Sequence, residues 1–185
     1  MTHSSPPAAR ATAVVVVPVA IGVLVAVALG VYGRLHEPAL FSVNVAGFSS
    51  PGAVKSWLAT VAFVLALVQL GSALVMWGKV PGVAAPPWIG GLHRWSGRLA
   101  VLATVPVAVH CLYALGFDWS SPRTLVHSLL GCFFYGAFVT KMLLLSRPNL
   151  PGWSLPVIGG LTFSALTGLW LTASVWFFTT KGLTF

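Results

Sequence analysis

Acidic side chains are almost missing from this sequence: two of its 185 residues are Asp or Glu, against ten Lys and Arg. Those two, Glu37 and Asp118, fall in connections between long apolar runs. No carboxylate is therefore available near a bilayer midplane, which argues against a proton pump, a proton-coupled carrier or a carboxylate-based metalloenzyme. Cysteine is equally scarce, with only Cys111 and Cys132. They make neither a CxxC pair nor the CxxCH signature of covalent haem attachment, and both read as small buried thiols. Charged residues are only 6% of the chain and hydrophobic ones 57%, which excludes an ordinary soluble domain. Strict alternation is lacking too: a run such as VVVVPVAIGVLVAVAL (14–29) does not carry the period-2 pattern of a membrane β-barrel. No internal repeat points to the paired halves of a transporter.

What the chain does have is length in its apolar runs. Five stretches, about 11–32, 57–77, 95–115, 124–145 and 157–178, can each cross a hydrocarbon core of about 30 Å as a helix. The expectation is an all-α integral membrane bundle of five helices forming one domain (11–185) behind a mobile polar segment (1–10) in which His3 carries no signal. The net charge of +8 does not imply nucleic acid, because the basic residues stand singly at the ends of the apolar runs. Arg10, Lys79, Arg94, Arg98, Lys141 and Arg147 share one side, and Arg34, Lys55, Arg123 and Lys181 the other, which favours a cytoplasmic N-terminus and an external C-terminus. Tryptophans near helix ends, among them Trp57, Trp77, Trp95, Trp119 and Trp176, read as an interfacial belt. The short GFDWSSPR turn predicts that helices three and four are antiparallel neighbours. Gly160, Ser164 and Gly168 form a small-residue stripe on helix five, suited to close packing.

Histidine supplies the remaining intramembrane chemistry. His110 lies near the outer end of the third run and His127 just inside the fourth, at depths that differ by about 3 Å. Two imidazoles at one level on neighbouring helices match the axial ligation of a b-type haem. Gly131, four residues after His127, leaves room on the same face for a flat ligand, and Arg123 stands at the mouth to meet a propionate. Pro106 should kink helix three on the face that carries His110. A buried imidazole can also satisfy itself on a carbonyl or a hydroxyl, so a structural role stays open. His93 lies about 25 Å along the helix from His110 and belongs to another level, as a second-site ligand, a quinone contact or an interfacial anchor beside Arg94 and Arg98. His36, in the longest loop, is a further candidate ligand or quinol contact, or an ordinary loop residue.

The stretch HRWSGRLA (93–100), followed by a helix with a further His, resembles the ferric reductase-like transmembrane domain and other b-type membrane cytochromes, as does RTLVHSLLGCFFYGAF (123–138) in general character. Members of that domain carry electrons across a bilayer through two haems held by histidine pairs. The resemblance implies His110 and His127 as iron ligands of an outer haem, with Arg94 and Arg98 near an inner one. Here Val107 stands fourteen residues after His93 and helix four carries a single His, so a ligand partner for His93 would be Met76 or Met142. The whole chain also resembles small five-helix bacterial membrane proteins without assigned function. The expectation is a lipid-embedded oxidoreductase subunit of the bacterial inner membrane holding one haem b or two, moving electrons between the quinone pool and an extracytoplasmic redox protein. The alternative is a haem-free accessory or scaffold subunit of a larger membrane complex.

Overall fold

Two Ser-Pro steps start two of the helices. Ser50 accepts the Ala53 amide proton on its side chain at 3.1 Å and Pro51 occupies the first helical turn, while Ser121 and Thr124 form a reciprocal capping box around Pro122. A proline there gives up only an amide that the helix leaves unpaired, and its ring presets the helical backbone angle. The computed structural model describes residues 8–185, and among these the chain forms α1 (Ala8–Leu35), α2 (Pro51–Met76), α3 (Ile89–Leu115), α4 (Pro122–Leu145) and α5 (Ser154–Lys181), with no strand. All five are long and apolar enough to cross a membrane; the protein is a multi-pass helical membrane protein, in contact with lipid. Of the segment expected to be mobile, residues 1–7, His3 included, lie outside the described residues, and Ala8–Arg10 belong to α1.

The end that carries the α1–α2 and α3–α4 connections is called the upper end below. α1 packs on α4, α4 on α5, α5 on α2 and α2 on α3, and the ring closes where α1 meets the top of α3. That closure is made by backbone bonds from the α1–α2 loop, Ala39 N–H to Tyr113 O at 3.2 Å and Leu40 N–H to Ala114 O at 3.1 Å. Without water to drive burial, helices in lipid associate by close packing of small residues. A Cβ on Gly22 would collide with Thr140 and with the Gly136 carbonyl, and one on Gly136 would lie 2.9 Å from Ala26 Cβ, so α1 and α4 meet nearly backbone to backbone. The expected stripe on α5 is otherwise: Gly168 is pressed against Leu130 of α4, but Gly160 and Ser164 are exposed.

α3 and α4, joined by their short turn, face each other across an open space and do not pack along their shafts. Each helix leans on another partner, α3 on α2 and α4 on α1 and α5. The core lies beneath the space this leaves, in the cluster of Ala66, Phe134, Ala165 and Leu166 and a lower one of Ala137, Leu144 and Ile158.

Candidate cofactor cavity

The space between α3 and α4 is a cavity of about 500 Å³ walled by α2, α3, α4 and α5. That volume falls in the usual range for small-molecule sites, roughly 300–1,000 Å³. α4 contributes Arg123, His127, Gly131 and Tyr135 at four-residue steps, one helix face descending about 18 Å from rim to floor. Opposite stand Thr104, Ala108, Cys111 and Leu115 of α3, while α2 supplies Lys55 and Ser56 and α5 supplies Leu166, Leu169, Ala173 and Trp176. At the floor the Tyr135 hydroxyl donates to Thr104 Oγ1 at 3.0 Å, and Thr104 donates onward to Val101 O at 2.7 Å. The wall at Gly131 is open: a Cβ there would find only Leu169 Cδ2, at 3.9 Å.

Two π-helical turns flank this cavity, His110–Leu115 at the top of α3 and Leu171–Val175 in α5. Such turns contain one residue more than an α turn, and they concentrate at functional sites. The α5 turn carries Thr172, whose Oγ1 lies 2.9 Å from His127 Nδ1 and 2.7 Å from Gly168 O. Arg123 braces the same turn, donating from Nη1 to Thr172 O at 2.8 Å with its guanidinium 3.8 Å over the Trp176 ring. The Ser174 hydroxyl of this turn is buried and, among the described residues, has no hydrogen-bond partner.

The rim is cationic. Lys55 and Arg123 both line it, and among the described residues Lys55 has no carboxylate partner. The one rim acid is Asp118, which accepts the Ser120 amide proton at 2.8 Å. That bond and one from the Ser120 side chain hold its carboxyl below the usual carboxylate range, so it is ionised at neutral pH.

The structure thus brings His127, Gly131 and Arg123 onto one wall with Tyr135, adds Lys55 of α2 and Cys111 of α3 from other sides of the cavity, and bonds Thr172 of α5 to His127. Their α4 spacing was readable; the contributions of α2 and α5 depend on helix rotation, which no local pattern encodes. His110 is not on that wall. Its neighbour Cys111 takes the cavity-facing position, and the His110 ring packs at 5.8 Å, edge-on, against Phe41 of the α1–α2 loop. His36 is engaged on the same outer side, stacked between Tyr32 at 5.0 Å and Tyr113 at 4.8 Å, with Nε2 3.1 Å from Tyr113 O. Pro106 lies within α3, whose helix runs on through it to Val109, and the π turn begins four residues beyond it.

At the lower end His93 Nδ1 lies 2.9 Å from Ser72 Oγ of α2, and Gln69 Nε2 donates to the His93 carbonyl and, at 3.3 Å, to Ser96 Oγ. Arg94 and Arg98 are exposed near that end, Arg98 lying over the Trp95 ring, so neither joins His93 in a closed pocket. Met76 is exposed at the end of α2 and Met142 is exposed on α4. Among the described residues no three His, Cys, Asp or Glu side chains gather as a metal cluster.

Fold and cavity together define a five-helix membrane protein with an imidazole-bearing chamber in its upper half. The chain matches the DUF6529 family, a family of unknown function, over residues 14–185, and belongs to it. No curated protein and no solved structure matches it.

Proposed function

We propose that the protein is a b-type haem protein of the bacterial inner membrane, carrying electrons between the quinone pool and an extracytoplasmic redox partner, with the haem in the upper cavity and His127 as its ligand. The observation that carries this reading is the α4 face itself: an imidazole on the wall of an apolar chamber, with Gly131 opening space one turn below it and cations at the rim. A haem is flat and apolar except for its two carboxylates; the chamber is lined mainly by apolar side chains, carries its charges at the rim, and at its floor has the Tyr135 and Thr104 hydroxyls bonded to each other. Lys55 would meet a propionate there, while Arg123 commits one N–H to the Thr172 carbonyl and retains others. When bound, the haem would supply one-electron redox chemistry; His127 would hold it, the surrounding helices would bury it, and Lys55 and Arg123 would set the charge at its rim.

His110 has no part in this arrangement, so ligation rests on His127 as a proximal ligand. The Lys/Arg asymmetry favours an extracytoplasmic upper end, which puts the chamber mouth where a soluble partner can reach it. The test is protein purified in mild detergent from haem-replete cells. It should be coloured, give the dithionite-reduced minus oxidised spectrum of haem b, and release the haem into acid acetone. A colourless preparation would overturn the reading and favour an accessory or scaffold subunit.

A further inference from the structure

Resting on the haem reading just given, we propose that Thr172 is the positioning residue of the site: it fixes His127 as the Nδ1–H tautomer, so that Nε2 is the nitrogen presented to a ligand. The inference follows from counting protons. A threonine hydroxyl has one proton and two lone pairs. Thr172 Oγ1 lies 2.7 Å from Gly168 O and 3.2 Å from Leu169 O, two acceptors of its own helix, and 2.9 Å from His127 Nδ1. The carbonyls bring no proton, so the hydroxyl proton is directed at Gly168 O and the proton between Oγ1 and Nδ1 comes from the imidazole. Among the described residues Nε2 has no hydrogen-bond partner, and His127 lines the chamber. A ligating histidine is held in this way elsewhere, its second ring nitrogen donating to a fixed acceptor that sets tautomer and ring orientation.

The π turn makes the arrangement possible. Thr172 lies within that wider turn, and Arg123, one turn above His127, clamps the Thr172 carbonyl from the same helix that bears the imidazole. The device recurs at the other end of the bundle: Ser72 Oγ lies 3.0 Å from Gln69 O of its own helix and 2.9 Å from His93 Nδ1. His93 is therefore an internal reference that no change at Thr172 should affect.

The test begins without haem. In apo-protein labelled with 15N-histidine and reconstituted in lipid nanodiscs, His127 should show a protonated Nδ1 and an unprotonated Nε2. Thr172→Val removes the hydroxyl at nearly constant shape and should mix or invert the tautomers of His127 while leaving His93 unchanged; Thr172→Ser should restore the wild-type pattern. Haem titration of the same proteins should then show affinity lowered about 10–100-fold by Thr172→Val and close to wild type in Thr172→Ser. A wild-type His127 protonated at Nε2 overturns the proposal, and this measurement decides even if a variant fails to fold. Equal haem affinity in wild type and Thr172→Val also overturns it. The expected tautomer in a protein that takes up no haem supports the positioning role and sinks the haem reading instead.

Discussion

The top of α3 faces two different surroundings from consecutive residues. Cys111 looks into the chamber toward α4, whereas His110 looks outward onto Phe41, in a group of rings that continues through Tyr113 to His36 and Tyr32. His110 and His127 were paired from the sequence because they share a depth. Depth is one coordinate; the angle around the helix is the other, and one residue turns it by about 100°. Equal depth brought the two imidazoles to one level and left them on opposite sides of α3.

The variant with the largest expected effect tests the chamber side of that contrast. His127→Ala removes the proposed ligand and should lower haem affinity by more than the roughly 10–100-fold typical of an outer-shell partner, read as haem per protein after purification. Gly131→Leu keeps the imidazole but fills the open wall, and overpacking of about 1–3 kcal/mol should cost about tenfold or more in occupancy. Lys55→Gln removes the unpaired rim cation; a hydrogen bond to a charged group contributes about 1.5–3 kcal/mol, so affinity should fall about tenfold and the loss should shrink in high salt. On the other side of α3, His110→Ala should leave the haem spectrum as in wild type and lower thermal stability by about 0.5–1.5 kcal/mol, the contribution of an aromatic pair. Haem loss in His110→Ala equal to that in His127→Ala would erase the contrast.

The smallest effect belongs to the rim acid. Because Ser120 depresses the Asp118 carboxyl in the fold, its contribution to stability is present above the ordinary carboxylate range and fades as pH falls through the lower, folded value. Asp118→Asn should therefore match wild type in a melting series at acid pH and fall slightly below it at neutral pH. A gap that widened toward acid would contradict that sign.

The five helices were legible because continuous apolar length is a strong signal. Their starts were less so. The sequence reading began helix two at Trp57 and helix four at Thr124, whereas the chain begins them at Pro51 and Pro122. The signal for these starts is Ser-Pro, a cap followed by a first-turn proline, which lies outside the hydrophobic windows. On the α4 wall, Arg123, His127 and Gly131 were legible together because spacing within one helix is a local property. Thr172 was not, since it reaches His127 across 45 residues of sequence and through a π turn that has no composition of its own.

The two π turns also give the molecule a phase. Each inserts one residue into an otherwise regular count, and in α5, where the helix continues above it, the segment Trp176–Lys181 is offset in rotation from the shaft below. Deleting one residue within Leu171–Val175 would return α5 to regular pitch and swing Trp176 and Phe177 about 100° around the axis, away from Arg123 and the rim, with α5 below Trp170 unmoved. In those two short turns, the number of residues sets which faces meet, and a change in length there acts on the chamber as strongly as a change of side chain.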